Sequence, residues 1–153
     1  ALLTQNVDGL HQAAGSRRVV ELHGSIRRWR CLRCGMEREE REGAFNRYPP
    51  RCECGGVRRP AVVWFGERLP EEAVEAADTA LRSCDLFFSV GTSAVVQPAA
   101  GFMEIARARG AKTVEINRDP TPATHAVDWA IRGRSGEVLP ALLSAMGSGP
   151  YLL

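Results

Sequence analysis

Short apolar runs alternate with segments of helical spacing in the second half of the chain. The apolar runs predict four strands, at residues 61–65, 85–90, 112–117 and 128–132. The segments of helical spacing predict three helices, at residues 70–81, 98–109 and 137–146. Strands that alternate with helices are typical of a parallel sheet with crossover helices, so we expect an α/β fold.

Individual residues refine these elements. We expect Pro70 at the first position of its helix, followed by Glu71 and Glu72, whose negative charge is favoured at that helix end. Pro140 is expected in the first turn of the last helix, where its missing N–H costs little. The run at 85–90 is mostly apolar, which predicts a strand that is buried on both faces.

Small and polar residues follow three of the predicted strands. The triplet Gly91–Ser93 comes directly after the strand at 85–90, Asn117 ends the next strand, and Gly133 follows the last one. In parallel α/β sheets, ligands bind in the crevice outside the carboxyl ends of the strands. The sequence therefore predicts that these residues line one rim of a ligand site.

Residues 26–60 interrupt the apolar pattern with cysteine, glycine, proline and charged residues. This composition indicates an inserted module of short strands and turns. At 153 residues, the chain is long enough for one ordinary domain with such an insert. We therefore expect residues 1–25 and 61–146 to form the main domain and residues 147–153 to form a tail.

Four of the five cysteines form two close pairs, Cys31 with Cys34 and Cys52 with Cys54. This spacing is typical of a zinc ribbon, in which four thiolates close a tetrahedral shell around Zn²⁺ and leave no position for a substrate. We predict one structural zinc ion per chain, because a redox dithiol would not require the second pair. The fifth cysteine, Cys84, is expected to be a small core residue.

Composition and charge narrow the class of protein. Hydrophobic residues make up 44% of the chain and charged residues 25%, which is typical of globular proteins, and no apolar stretch is long enough to cross a membrane. Paired cysteines without a secretory signal favour an intracellular, cytoplasmic metal-binding protein, with a targeting segment upstream of Ala1 left open. Arginines concentrate in residues 17–41, but the interleaved glutamates favour a solvated surface over a site for nucleic acid or an acidic partner.

Two polar runs are candidates for chemistry. Residues 4–11, TQNVDGLH, place amides, a carboxylate and an imidazole directly after an apparent strand. Residues 21–24, ELHG, place His23 beside a glycine at the edge of the cysteine module. Each run alone also fits a structural interpretation, the first as a polar loop that caps a helix and the second as a histidine without a catalytic role.

The order of these runs is specific. TQNVDGLH is followed by ELHGS, the paired cysteines, RPAVVWFGE and VGTSAVVQPAAG, and this series resembles the sirtuins, a family of NAD-dependent protein-lysine deacylases. The resemblance extends from Thr4 to about Leu142 and looks closest to bacterial deacylases and the mitochondrial desuccinylase-like branch. It implies a Rossmann-like parallel sheet that binds NAD, with the zinc ribbon as a small insert.

The resemblance also implies a reaction, in which the acyl group of a lysine passes to ADP-ribose and nicotinamide is released. His23 matches the general base of the family, and a neutral imidazole is suited to accept a proton from a ribose hydroxyl near pH 7. Gln5, Asn6 and Asp8 match residues around the nicotinamide and its ribose, where amides and a carboxylate can bind hydroxyl groups.

Further contacts follow from the same resemblance. Loops near the adenosine part of NAD are implied for Gly91, Thr92, Ser93, Asn117 and Ser135. An acyl-lysine peptide is expected to pair as an added strand, through main-chain hydrogen bonds, with Val63, Trp64, Phe65, Gly66 and Glu67. Trp64 and Phe65 could equally be core aromatics, but Gly66 lowers the cost of close backbone approach and favours the peptide contact.

One part of the family pattern has no counterpart in this chain. Sirtuins carry near their start a glycine-rich GAGxS turn that holds the pyrophosphate at a helix N-terminus, and the sequence contains no such turn. We therefore expect the chain alone to bind NAD poorly and to expose a sheet edge that is prone to non-native self-association. A truncation, a protein split over two chains and a degenerate relative all fit, and we favour truncation.

The alternative function is a non-catalytic zinc-ribbon and Rossmann fragment that acts as a binding module. It predicts steeply salt-dependent binding through the arginines, but the ribbon offers mainly Trp29 for stacking on single-stranded nucleic acid. A different nucleotide-binding α/β enzyme would leave the combination of His23 and the cysteine pairs unexplained. We therefore favour the deacylase interpretation.

Overall fold

A computed structural model of the chain describes residues 1–40, 45 and 47–147. The predicted tail at residues 147–153 lies outside the described residues, apart from Gly147. The chain divides into two compact units between Ala80 and Leu81. Within the described ranges, no helix combines the length and the apolar character that a membrane span requires.

The first unit begins with two parallel strands, β1 (Leu2–Thr4) and β2 (Val19–Glu21), with the short helix α1 (Leu10–Ala13) between them. Thr4 pairs with Glu21, and the Leu22 N–H continues the ladder to the Thr4 carbonyl oxygen at 3.0 Å. Because parallel strands end at the same edge, the residues that follow β1 and β2 lie next to each other. The two polar runs of the sequence therefore meet at this edge.

Three antiparallel strands form the second sheet of this unit, in the order β4 (Glu37–Glu39), β3 (Gly24–Cys31) and β5 (Arg58–Val62). β5 begins and ends three residues earlier than the strand predicted at 61–65. The reason is a tight turn over residues 64–67, in which the Glu67 N–H donates to the Trp64 carbonyl oxygen at 2.9 Å. The aromatic pair of the motif therefore lies in a turn and not in a strand.

Gly24 determines how closely β3 and β5 approach each other. Its φ angle is 73°, and a Cβ atom at this position would lie 2.0 Å from the Ala61 carbonyl oxygen. That distance is far below van der Waals contact, so a side chain cannot be accommodated without moving β5. Glycine at this position therefore allows β5 to pair directly beside His23.

The second unit contains a parallel sheet in the order β6 (Leu86–Val90), β7 (Lys112–Asn117) and β8 (Trp129–Arg132). The helices of the second half are α2 (Glu71–Ser83), which spans the division between the units, α3 (Phe102–Ala108) and α4 (Ser135–Ala145). The central strand β7 is buried from Thr113 to Ile116, and Met103 and Ala106 of α3 are buried as well. Parallel strands that alternate with helices confirm the predicted α/β class.

Helix bounds differ from the prediction in three places. The helix predicted at residues 98–109 is divided into a 3-10 turn, Ala99–Gly101, and the shorter helix α3. The Pro70 carbonyl oxygen accepts the Val74 N–H at 3.1 Å, so Pro70 is the N-cap of α2 and not its first residue. Because α4 begins two residues earlier than expected, Pro140 lies in its second turn, where it removes the N–H that would bond the Gly136 carbonyl.

The prediction that β6 is buried on both faces was wrong. Leu86, Phe88 and Val90 are 47%, 40% and 37% exposed, whereas Ser89 between them is buried. Side chains alternate between the two faces of a strand, so one face of β6 is packed and the other is exposed. An apolar run shows that a strand tolerates burial, but the packing of both faces depends on elements that lie elsewhere in the chain.

Candidate functional site

His23 lies directly after β2, at the edge where Gln5 follows β1. Its Nδ1 atom is 3.1 Å from the Gln5 carbonyl oxygen. Because a carbonyl oxygen can only accept, this hydrogen bond places the ring proton on Nδ1 and leaves the Nε2 lone pair available. The backbone carbonyl of His23 accepts the Val63 N–H at 2.9 Å. The half-buried imidazole is thus oriented by its Nδ1 hydrogen bond, while the bond from Val63 fixes the backbone of His23.

The loop after β1 is ordered by its own polar groups. The Thr4 hydroxyl accepts the Asn6 N–H at 3.1 Å, and the Asp8 carboxylate accepts the Leu10 N–H at 2.9 Å at the start of α1. Arg27 Nε donates to the Asp8 carbonyl oxygen at 3.1 Å. Asp8 therefore has a structural role in this loop, while the nicotinamide-ribose contacts of Gln5, Asn6 and Asp8 stay predictions.

Glu21 is a residue whose role the sequence did not reveal. Its two carboxylate oxygens accept hydrogen bonds from Gln12 Nε2 at 3.0 Å and from Arg28 Nη2 at 3.1 Å. These bonds connect α1, β2 and β3 at the wall of a cleft of about 390 Å³. The glutamate that precedes Leu22 and His23 in the motif therefore ties together the elements around the histidine.

The turn at residues 64–67 presents aromatic side chains to solvent. Phe65 is 99% exposed and Trp64 is 60% exposed, so the alternative that they are core aromatics is wrong. The Glu67 carboxylate accepts the Trp64 N–H at 3.0 Å, and this bond, followed by the nearby Arg59 guanidinium, holds the pKa of Glu67 below its ordinary value. The charged carboxylate of Glu67 therefore holds the two ends of the turn together.

Two main-chain donors of the expected peptide-binding segment are used within the chain. The Val63 N–H donates to the His23 carbonyl and the Trp64 N–H donates to the Glu67 carboxylate. A peptide that pairs here would have to use other groups, such as the Val63 carbonyl or the exposed Phe65 and Gly66 backbone. The peptide contacts of Val63, Trp64, Phe65, Gly66 and Glu67 stay predictions.

The four cysteines of the insert converge on one point. All four Sγ atoms lie within 4.8 Å of one another, with 3.5 Å between Cys31 and Cys54 and 3.8 Å between Cys34 and Cys52. A tetrahedral shell with Zn–S bonds of about 2.3 Å requires Sγ atoms about 3.8 Å apart, so the residues fit a zinc ion. The N–H groups of Cys34 and Arg33 lower the pKa of Cys31 to about 6. At Cys34 the Met36 N–H is outweighed by the neighbouring thiols, which raise the pKa of this cysteine to about 11. A bound zinc ion would require all four cysteines as thiolates.

Several arginines of the cysteine module, two of them from the arginine-rich stretch at residues 17–41, contact the turns of that module. Arg33 Nη1 donates to the Cys54 carbonyl oxygen at 2.9 Å, and Arg38 pairs with Glu53 at 3.2 Å. Arg51 Nη1 donates to the Gly55 carbonyl oxygen at 3.1 Å. These arginines therefore stabilise the turns that carry the cysteines, which agrees with the interpretation of a solvated surface around the metal module.

In the second unit, three of the five residues predicted to contact adenosine line a second cleft of about 370 Å³, together with Gly133 of the predicted rim. Gly91, Asn117, Gly133 and Ser135 all line it. The Asn117 side chain donates to the Thr92 carbonyl oxygen at 2.7 Å. Asn117 therefore joins the loop after β6 to the end of β7, a role that is additional to its predicted ribose contact. Ser93 is exposed in the same loop.

Sequence reasoning missed a buried ionic network below this cleft. Glu115, 1% exposed, accepts hydrogen bonds from the hydroxyls of Thr121 and Thr124 and pairs with Arg132 Nη1 at 3.0 Å. Burial opposes ionisation, but the three donors outweigh it, so the pKa of Glu115 lies below its ordinary value. Arg132 also donates to the Asp119 carbonyl oxygen at 3.1 Å. The network therefore orders the loop that follows Asn117.

Parallel strands with polar loops at their carboxyl ends, together with a closed four-cysteine module, define a Rossmann-like α/β protein with an inserted zinc ribbon. The sequence model of the Sir2 family matches residues 1–98, which is more than half of the chain. The chain therefore belongs to the Sir2 family, as its resemblance to the sirtuins implied.

Two relatives show how far the similarity extends. The chain is 52% identical over 147 residues to NAD-dependent protein deacylase 2 of Pyrobaculum aerophilum, with 93% of this chain and 57% of that protein covered. It is 46% identical over 151 residues to an NAD-dependent protein deacylase of Mycobacterium tuberculosis, with 95% of this chain and 64% of that protein covered. The chain thus spans less than two thirds of the length of these relatives.

Solved structures confirm the fold. A Sir2 homologue in complex with NAD superposes with a TM-score of 0.90 at 45% identity, over 94% of this chain and 57% of that one. A Sir2 protein with a p53 peptide and NAD⁺ superposes with a TM-score of 0.87 at 32% identity, over 97% of this chain and 64% of that one. The arrangement of elements described above is therefore that of Sir2 proteins.

Proposed function

We propose that the chain carries the general base and the ribose-binding loops of an NAD-dependent protein-lysine deacylase. The enzyme would transfer the acyl group to ADP-ribose and release nicotinamide. The observation that carries this proposal is the imidazole of His23, fixed by the Gln5 carbonyl at 3.1 Å where two parallel strands end. The names of the two relatives, both NAD-dependent protein deacylases, support it.

The chemistry of His23 follows from its hydrogen bond. Bound NAD would supply the nicotinamide ribose, with its reactive carbon and its hydroxyl groups. Nε2 of His23 would accept the proton of a ribose hydroxyl, while Nδ1–H stays bonded to the Gln5 carbonyl, whose dipole stabilises the resulting imidazolium. A positioned base of this kind contributes a factor of about 10² to 10⁴ in rate.

The substrate in this proposal is an acyl-lysine in a peptide or protein. The exposed Phe65 turn adjoins His23, because Val63 is hydrogen-bonded to the His23 carbonyl. A Sir2 structure with a bound p53 peptide supports a peptide as the substrate class. The four cysteines would hold a structural zinc ion away from the reaction, since a closed thiolate shell leaves no position for a substrate.

We further propose a cytoplasmic location, supported by cysteines that are all free, as is usual in reducing compartments. The alternative of a binding module that uses the arginines has less support. Arg33 and Arg51 are engaged with backbone carbonyls, and Arg38 is engaged with a glutamate. Engaged arginines offer fewer donors to the phosphates of a nucleic acid.

The test measures nicotinamide release. The chain is assayed alone and joined to the part of the Mycobacterium tuberculosis deacylase that it does not match. We expect release by the joined protein only when both NAD and an acetyl-lysine peptide are present. His23→Ala should lower the rate by about 10² or more, whereas His125→Ala, at an exposed histidine of the second unit, should leave it unchanged.

Two results would contradict the proposal. One is nicotinamide release by His23→Ala at the rate of the unchanged protein, which would remove the histidine from the reaction. The other is the absence of peptide-dependent release from the joined protein when zinc content and thermal unfolding show that it is folded. Salt-dependent binding of the chain to nucleic acid, together with that second result, would favour the binding module instead.

A further inference from the structure

The turn at residues 64–67 is unusual because it exposes a large aromatic side chain yet is tightly held. Gly66 has a φ angle of 86°, and the Glu67 N–H donates to the Trp64 carbonyl oxygen at 2.9 Å. These features are those of a type II turn, with Phe65 at its first central position. Because the Phe65 side chain is exposed, its burial cannot stabilise the turn, and other contacts must hold the turn in place.

Arg59 of β5 makes two contacts with this turn and one with Val62, which lies shortly before it. Nη1 donates to the Val62 carbonyl oxygen at 2.9 Å, and Nη2 donates to the Glu67 carboxylate at 2.6 Å. The guanidinium group also lies over the Trp64 ring, 5.1 Å from its centroid. The Arg59 side chain is only 13% exposed, so water competes little for these contacts.

The three contacts require an arginine. A planar guanidinium presents two donors in fixed directions and an apolar face that stacks on an aromatic ring, whereas a lysine presents a single point charge. The Glu67 carboxylate is held at the same time by Arg59 and by the Trp64 N–H. The start and the end of the turn are therefore fastened to one rigid group on β5.

β5 also determines where the turn lies relative to the proposed base. The Val63 N–H donates to the His23 carbonyl at 2.9 Å, and Val62 pairs with Gly24. A continuous set of hydrogen bonds therefore connects Arg59, the turn and the backbone of His23. Loosening Arg59 would leave this backbone pairing intact but would free the turn that follows it.

We propose that Arg59 is a positioning residue, which holds the turn at residues 64–67 in the conformation that receives an acyl-lysine peptide. This inference rests on the proposed deacylase function. Because the turn is ordered before the peptide arrives, less conformational entropy is lost on binding. Arg59 itself touches the turn and takes no part in the proton transfer.

The first readout reports on the turn alone. Chymotrypsin cleavage after Phe65, followed by mass spectrometry under native conditions, measures how often the turn opens. We expect Arg59→Ala to be cleaved at least about tenfold faster, the equivalent of one lost hydrogen bond to a charged group, and Arg59→Lys to be intermediate. Arg38→Lys is the matched control, because Arg38 pairs with Glu53 of the cysteine module and not with the turn.

The second readout uses the joined protein of the nicotinamide assay. We expect Arg59→Ala to raise the KM for the acetyl-lysine peptide about tenfold while the KM for NAD stays within about twofold, with partial recovery in Arg59→Lys. A merely structural role would change both KM values and the thermal unfolding temperature together, and that result would overturn the inference. Cleavage rates equal to those of the unchanged chain in both variants would overturn it as well.

The two readouts separate the inference from the proposed function. If the joined protein releases no nicotinamide, the deacylase proposal fails and the inferred peptide role of Arg59 fails with it, whatever the cleavage rates. If nicotinamide is released and the peptide KM is insensitive to Arg59, the inference alone is wrong.

Discussion

Replacing Gly24 with alanine should separate β5 from the histidine. The added Cβ would lie 2.0 Å from the Ala61 carbonyl oxygen and 3.3 Å from the Val62 Cα atom. An ordinary contact between a Cβ atom and a carbonyl oxygen is roughly 1 Å longer than the distance to Ala61, so β5 has to move away by about that much. The hydrogen bond from Val63 to the His23 carbonyl, now 2.9 Å, would then be lost.

The expected cost has three parts. Alanine at a φ angle of 73° costs about 1–2 kcal/mol. The overlap with β5 adds roughly 1–3 kcal/mol, as in other overpacked sites, and each lost backbone hydrogen bond adds about 1 kcal/mol. We therefore expect Gly24→Ala to lower the free energy of unfolding by about 3–6 kcal/mol.

Gly15→Ala provides the matched control in the same unit. Gly15 has a φ angle of 90°, but no atom lies within 4 Å of the position of its Cβ, so only the backbone cost of about 1–2 kcal/mol applies. Urea unfolding of the zinc-loaded chain, followed by circular dichroism, measures both variants. If the two substitutions have equal effects, the close approach of β5 to Gly24 does not require glycine and the reasoning is refuted.

Three further predictions concern the metal site and two buried or bridging carboxylates. Metal analysis should find one zinc ion per chain, which Cys34→Ser loses and Cys84→Ser retains; equal zinc contents in both variants would contradict the site. The Lys112 ammonium, followed by hydrogen bonds from its neighbour, lowers the pKa of Asp128 to about 2. The ionised Asp128 should therefore stabilise the fold above about pH 4, and this stabilisation should be lost as the pH falls through about 2. Over this pH range the Tm of Asp128→Asn should fall less than the Tm of the unchanged chain, and an equal fall in both proteins would refute the reasoning. Glu115→Gln should lower the free energy of unfolding by about 2–4 kcal/mol, because an amide cannot accept all three donors, and a change below about 0.5 kcal/mol in urea unfolding would contradict the network.

Much of the fold could be predicted from the sequence because its determinants are local. The strand at residues 112–117 was predicted with the bounds that β7 has, since Thr113, Val114 and Ile116 are β-branched residues that favour a strand. The cysteine pairs predicted the metal module because the ligand spacing within each pair is set by the short chain between them. The prediction for β6 was wrong on burial, because exposure depends on what packs against a strand.

In the candidate site, too, some residues could be predicted from the sequence and others could not. His23 and the loop at residues 4–11 could be recognised from the sequence, because the side chains themselves determine which chemistry is possible. Arg59 could not be recognised, because its partners Trp64 and Glu67 come together only when the chain reverses after β5.

Contacts between residues distant along the chain are the part that folding alone establishes. Gly24 meets Ala61, and no pattern in the sequence joins this pair. The predicted rim placed Asn117 near the loop after β6, but only the structure shows that the Asn117 side chain donates to the Thr92 carbonyl oxygen. The physical reason is that a local pattern reports the conformation and chemistry of neighbouring residues, whereas the approach of remote segments depends on how whole strands pair and pack. The sequence therefore sufficed to propose His23 as the base and the four cysteines as metal ligands, and the three-dimensional structure was needed to show what holds these side chains in place.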